Sequence, residues 1–211
     1  MKYNPRYVLM VYRGYIVPLL IGMYYSRDYL NFVNTIERKK YGGYFMKKLN
    51  ISWEGIHDST GYLFSFAKSL AYAVKNSPWP EYAEEIVATS GFAFRMWVSA
   101  ELCPSATSIW EFDKQKLWVE NGGLTCDYVG RYWGQEDIEE EKRLKAIAKI
   151  KSSINNSIPA ISWDIGLPEW GLITGFDEDA QMFSILSIAE DDSSASNQMP
   201  FAQLGKREIP L

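Results

Sequence analysis

The sequence predicts a single α+β domain in which helices come first along the chain and an antiparallel sheet follows. Residues 61–75 and 136–154 carry apolar side chains at helical spacing, whereas 158–163, 170–174 and 182–186 are short β-like runs. Helices followed by strands in this order are typical of α+β proteins. With 211 residues, 47% of them hydrophobic, the chain is long enough for one sizeable core and short for two.

The first helical segment, 61–75, is apolar on most faces, which predicts a buried helix. Three candidate N-caps stand just before it, Asp58, Ser59 and Thr60. Pro78 and Pro80 end it because proline cannot continue a helix. A short helix at 81–88 and an aromatic, strand-like run at 92–97 are expected to follow.

Turn residues divide the second half of the chain. Gly122 and Gly123 predict a turn, and the charges between the apolar positions of 136–154 predict an amphipathic surface helix. Residues 175–179 predict a hairpin turn and 190–199 a polar loop, with 206–211 as one more strand.

Composition narrows the classes of function. No Lys/Arg cluster is interleaved with aromatic residues, so a nucleic-acid partner is not expected. Two cysteines, Cys103 and Cys126, do not form a disulfide framework, which fits a reducing cytoplasm. A single histidine, His57, rules out a His-rich metal site. We therefore expect a cytoplasmic protein with no metal, no cofactor and no membrane partner.

Residues 1–45 differ from the rest of the chain. They hold seven of the 22 basic residues and two of the 26 acidic ones, a net charge of +5 against −9 for 46–211. Three interpretations stay open. The apolar stretch 14–26 is too short to span a bilayer and lacks a signal-peptide cleavage site, so secretion or anchoring is the weakest. The second is an ordinary N-terminal extension. The third is that translation starts at Met46, because Gly42-Gly43 can be encoded by a ribosome-binding sequence.

Several short motifs occur in an order that resembles a known family. Residues 159–163 read Pro-Ala-Ile-Ser-Trp, and 169–177 read Glu-Trp-Gly-Leu-Ile-Thr-Gly-Phe-Asp. Residues 57–63 read His-Asp-Ser-Thr-Gly-Tyr-Leu. Together they resemble the papain-like C39-like peptidases and the N-terminal domain of the butirosin biosynthesis protein H. The resemblance covers residues 51–186 and implies a papain-like fold, with a buried N-terminal helix region packed on a C-terminal antiparallel sheet. It also implies a longer protein, so that 46–211 would be a truncated or shortened domain.

The resemblance fails at the residues that carry the family's chemistry. Asp58 occupies the position of the nucleophilic cysteine, and Glu169, six residues before Gly175, occupies that of the histidine base. The third position of the triad falls near Leu186 or Ser187 and supplies no carboxylate. Two carboxylates do not replace a thiolate–imidazole pair, because a carboxylate lacks the nucleophilicity of the thiolate.

Each candidate residue has a structural alternative to its functional role. Asp58 and Glu169 are either an acid/base pair across the inherited cleft or an N-cap and a turn residue. His57 is a base or a structural hydrogen-bonding residue, and Cys103 is a displaced nucleophile or a small buried side chain. Two tryptophans and an arginine complete the candidate cleft or belong to the core: Trp163, Trp170 and Arg95.

We expect a papain-like domain that is not an active peptidase and binds a small molecule or peptide in the former active cleft. One alternative is a cysteine-dependent acyltransferase or amide hydrolase that uses Cys103 as a relocated nucleophile. A second alternative is an accessory or interaction domain. The sequence leaves the oligomeric state open.

Overall fold

The structure of the chain is a computed structural model that describes residues 6–12, 15–17, 45–53, 65–94, 112–131, 134–165, 169–187 and 197–206. Its architecture is α+β, as the sequence predicts, with helices packed against one sheet of eight described strands. The helices are α1 (Ser65–Lys75), α2 (Ile86–Thr89), α3 (Phe112–Asn121) and α4 (Glu139–Asn155). The strands are β1 (Arg6–Tyr12), β2 (Tyr15–Val17), β3 (Met46–Lys48), β4 (Leu124–Val129), β5 (Ala160–Trp163), β6 (Trp170–Asp177), β7 (Met182–Leu186) and β8 (Gln198–Pro200).

The sheet has the strand order β2-β4-β1-β5-β6-β7-β8, and β3 pairs with the part of β6 that lies beyond the first residue of β5. Strands β5 to β8 pair antiparallel in sequence order. Strand β1 pairs parallel with both β4 and β5, which the purely antiparallel prediction did not include. β1 lies within residues 1–45, for which an ordinary N-terminal extension is one of the three interpretations that the sequence leaves open. The start of translation stays a prediction, which the intact mass of the natively expressed protein would decide.

Helix α1 confirms the predicted buried helix within its described residues. Eight of its eleven residues are buried, because the helix lies between β5 and β6 on one side and α2 on the other. Its last residue is Lys75, and the turn that follows is closed by the Ser77 hydroxyl, which donates 2.7 Å to the carbonyl of Val74. The proline-bearing segment 78–80 comes next, where the sequence predicts the end of the helix.

The sequence predicts a strand-like segment at 92–97, but the described part of this segment is not a strand. Phe92–Phe94 form a 3-10 helix. The ring of Phe92 is packed 4.8 Å from that of Phe66 and 5.8 Å from that of Trp118. Contacts with α1 and α3 thus determine the local backbone, and the β propensity of aromatic residues does not.

The amphipathic helix predicted at 136–154 is confirmed as α4 with a preceding 3-10 turn. It buries Ala146, Ile150 and Ile154 against the sheet. The guanidinium of Arg143 is also buried and donates to the carbonyl of Leu204 at 2.9 Å. Arg143 forms ion pairs with two glutamates in the first turn of α4, so its charge is neutralised where it is buried.

Among the described residues, the hydrophobic core forms two clusters, one on each face of the sheet. Side chains alternate between faces along a strand, so Trp170 and Leu172 of β6 join the cluster around α1, whereas Ile173 joins the cluster around α4. The sequence-predicted antiparallel strands therefore have helices on both faces. Helix α1 and the start of β6 meet on one face, and α4 lies on the other.

Candidate functional site

The first described residue of α1 contacts the residue before β6. The hydroxyl of Ser65 donates a hydrogen bond of 2.5 Å to Oε2 of Glu169. The same hydroxyl accepts a hydrogen bond of 3.3 Å from the backbone N–H of Trp170. One serine thus orients the carboxylate of Glu169 and binds the backbone of the first residue of β6. We call Ser65, Glu169 and Trp170 the α1–β6 junction.

The connection between β5 and β6 also holds the backbone of Glu169. The N–H of Asp164 donates 3.0 Å to the carbonyl of Glu169. Asp164 has a positive φ of 58°, a conformation that aspartate tolerates better than most residues. The junction therefore has a fixed backbone, although the side chain of Glu169 is exposed to solvent.

An aromatic layer lies beneath the junction. Trp163 and Trp170 are partners in the β5–β6 register, with ring centroids 5.6 Å apart. The ring of Trp170 also packs 4.8 Å from that of Phe66. The exposed fractions of Trp163 and Trp170 are 5% and 2%, so both rings belong to the core in this structure. Their predicted role in binding a ligand stays a prediction.

A second contact joins the end of β7 to the same side of α1. The indole N–H of Trp53 donates 2.9 Å to the carbonyl of Ser187. Trp53 packs edge-on against Tyr72 of α1, at 4.6 Å, and the ammonium of Lys68 lies 5.2 Å over its ring. Ser187 is one of the two residues to which the resemblance assigns the third triad position. The described structure therefore brings the neighbourhood of that position next to α1.

Gly171, which has no side chain, allows the backbones of β6 and β7 to approach closely. A Cβ atom at Gly171 would lie 2.6 Å from the carbonyl oxygen of Leu186 and 2.8 Å from a methyl carbon of Ile165. A glycine inside a strand often marks such an approach, so the sequence carried a signal for this position. No signal in the sequence identified Ser65 or Trp53, because their hydrogen-bond partners lie more than 100 residues away.

Four of the predicted site residues lie outside the described residues: His57, Asp58, Arg95 and Cys103. The distance between Asp58 and Glu169 therefore stays a prediction, as does the role of Cys103. Of the seven predicted site residues, the structure describes three, Trp163, Glu169 and Trp170. It brings those three together at the start of β6.

The second cysteine, Cys126, is a buried residue of β4. Its side chain is 1% exposed, and Sγ lies 3.6 Å from the carbonyl oxygen of Lys116. Burial raises the pKa of the Cys126 thiol well above its usual range, because the charged thiolate loses its hydration. Cys126 is consequently a structural side chain and a poor nucleophile.

The described residues contain no group of three His, Cys, Asp or Glu side chains arranged to hold a metal ion. None of their helices has the length and apolar character needed to cross a membrane.

The comparisons with known proteins give no family assignment. No protein-family model matches the sequence, and neither the curated proteins nor the solved structures contain a match to it.

Proposed function

We propose that this chain is a papain-like domain that has lost the cysteine–histidine chemistry and binds a small molecule or peptide non-covalently at the inherited cleft. The α1–β6 junction marks the cleft. Glu169 is its exposed polar group, and His57 and Asp58 precede α1 in the sequence.

The single observation that carries the proposal is the contact between Ser65 and Glu169. The resemblance implies that the chain following the nucleophile position packs beside the strand that supplies the base. Here Ser65, which follows Asp58 along the chain and belongs to α1, is hydrogen-bonded at 2.5 Å to Glu169 at the base position. The Trp53–Ser187 contact adds the end of β7 to the same neighbourhood.

Non-covalent binding follows from the residue types. Glu169 at the base position is a carboxylate, and Asp58 stands at the nucleophile position. Cys126 is buried with a raised thiol pKa, which removes it as a nucleophile. An exposed, oriented carboxylate is suited to hydrogen-bonding or pairing with a ligand, which needs no covalent intermediate.

The proposal is tested by a thermal-shift screen of the full chain against small molecules and short peptides. A ligand of the junction is expected to raise the melting temperature by several degrees, and Glu169→Gln is expected to abolish the shift. Glutamine keeps an oxygen that accepts from Ser65, so the variant removes charge and little else. Glu141→Gln is the matched control, since Glu141 is an exposed acid on α4, across the sheet from α1.

Covalent probes distinguish the enzyme alternative. The intact mass of the folded chain after treatment with acyl-thioester and thiol-alkylating probes is expected to be unchanged, with both cysteines modified only after denaturation. A single rapid adduct on Cys103 that is lost in His57→Ala would overturn the proposal and identify a rearranged cysteine enzyme. A screen without any ligand sensitive to Glu169→Gln would also overturn it.

A further inference from the structure

The carboxylate of Glu169 has one oxygen engaged and one available. Oε2 accepts from Ser65, whereas Oε1 has no hydrogen bond with any described residue. Glu169 forms no ion pair within the part of the chain that the structure describes, and its side chain is exposed. An ionised carboxylate accepts up to four hydrogen bonds, so an oriented, negatively charged acceptor is left facing solvent.

Ser69 supplies an independent observation next to the same site. Its side chain is 0% exposed, and its hydroxyl oxygen has no hydrogen-bond partner among the described residues. A helical serine ordinarily relieves this by bonding to the carbonyl four residues earlier, which here is that of Ser65. That bond is not made. A buried polar atom without a partner is costly, so a ligand group that supplied the missing hydrogen bond to Ser69 would be favoured.

Helix geometry directs Ser69 toward Glu169. Residues four apart lie on the same face of a helix, and their Cβ atoms are about 5–6 Å apart. Side chains on a helix lean toward its N-terminus, so the hydroxyl of Ser69 leans over the turn that contains Ser65. Ser65 faces Glu169, and Ser69 therefore lies one helical turn further along the same face of α1.

The two acceptors have the chemistry of an ammonium site. A primary ammonium carries three N–H donors and no acceptor, and it is compact enough to follow one face of a helix. An anion is repelled by Glu169, a quaternary ammonium has no N–H to donate, and a guanidinium presents a wide planar fork. We infer that the junction binds the ammonium group of a primary amine, with Glu169 as its counter-ion and Ser69 as the second acceptor. This inference rests on the proposed function.

When the amine binds, an ion pair between the ammonium and Glu169 replaces the hydrogen bond between Ser65 and Glu169. Ser65 occupies the turn above Ser69, so the ammonium reaches Ser69 when the Ser65 side chain turns away from Glu169. The N–H of Trp170, which donates to Ser65, then loses that partner. The backbone amide of Trp170 is therefore the reporter of binding.

The test is a titration of the full 15N-labelled chain with n-butylammonium chloride, followed at the Trp170 amide resonance. Tetramethylammonium chloride and sodium butyrate at the same ionic strength are the comparison ligands. We expect a saturable shift with n-butylammonium alone, an affinity at least tenfold lower in Glu169→Gln and at least threefold lower in Ser69→Ala, and no change in Glu141→Gln. Ser69→Ala is expected to fold, since alanine is the better helix former.

An equal response to tetramethylammonium, or unchanged affinity in Glu169→Gln or Ser69→Ala, overturns the inference. The thermal-shift screen separates this failure from failure of the proposed function. A neutral or anionic ligand whose binding depends on Glu169 would support the proposed function and contradict the inference of an amine site. The absence of every ligand would reject both.

Discussion

The hydroxyl of Ser65 joins α1 to the start of β6 by donating 2.5 Å to Oε2 of Glu169, 104 residues further along the chain. Because this hydroxyl also accepts from the backbone of Trp170, one side chain connects a helix, a carboxylate and a strand. The two residues lie far apart in the sequence, so substitution of either one tests the contact between α1 and β6.

Replacing Ser65 with alanine is expected to lower the free energy of unfolding by about 1 kcal/mol, the usual net value of a hydrogen bond. The exposure of Glu169 keeps the value low, because water competes for the carboxylate. Urea denaturation measures the loss, and a double-mutant cycle with Glu169→Ala, which removes the accepting oxygen, isolates the pair. Ser152→Ala, an exposed serine on α4, is the matched control and should change the free energy by less than about 0.5 kcal/mol. Additive effects of the two variants would contradict the contact.

Replacing Ser69 with alanine is expected to have the opposite sign. The change removes a buried hydroxyl that has no partner and adds helix propensity, so the free energy of unfolding should rise by about 1 kcal/mol. Thermal and urea unfolding without added amine measure the gain. A loss of more than about 1 kcal/mol would mean that the hydroxyl has a bonding partner in solution, since breaking such a bond carries a cost of this size.

The buried thiol of Cys126 predicts a pH dependence of stability. Its pKa in the folded chain is raised above the usual thiol value of about 8.5, chiefly by burial. Above about pH 8.5 the unfolded chain releases this proton while the folded chain keeps it, so stability is lost as the pH rises. The contribution is fully present below about pH 8.5 and falls by up to about 1.4 kcal/mol per pH unit above it.

The contribution of Cys126 is measured as a difference between the wild-type chain and Cys126→Ala, because lysines and tyrosines titrate in both. Urea unfolding from pH 7.5 to 10 should give a steeper fall in the wild-type chain. Parallel pH profiles would refute the prediction. In a Cys103→Ala chain, the remaining thiol should react with a disulfide reagent at pH 8 only after denaturation.

Two glycine substitutions separate steric crowding from backbone strain. A Cβ at Gly171 meets the carbonyl oxygen of Leu186 at 2.6 Å, so Gly171→Ala should cost about 3 kcal/mol, as overpacked core substitutions do. Gly123 has φ of +87° with no atom within 4 Å of an added Cβ, so Gly123→Ala should cost only the left-handed conformation, about 1–2 kcal/mol. Equal losses in thermal unfolding would show that β6 and β7 are not this close.

Local sequence pattern was sufficient for the elements whose burial follows their own periodicity. The apolar run at 61–75 predicts a buried helix, and α1 is that helix over its described residues. The charged and apolar positions of 136–154 predict α4, and the short apolar runs predict β5, β6 and β7. In each case the apolar residues within the segment itself indicate that it is buried, whatever the segment packs against.

Tertiary structure decided the features that depend on a distant partner. Phe92–Phe94 form a 3-10 helix because Phe92 packs between Phe66 and Trp118, although aromatic residues favour strands. Trp163 and Trp170 lie in the core because β5 and β6 place their rings together beneath the junction.

The sequence by itself determined the α+β class, which follows from local pattern. It also identified Glu169 as a candidate, through the position that Glu169 occupies in the resemblance to papain-like domains. The tertiary structure alone decided that Ser65 orients Glu169 and that Ser69 lies buried one turn away. The apolar residues of a segment indicate how that segment is buried. A hydrogen bond between residues 104 positions apart forms only once the helix and the sheet have packed.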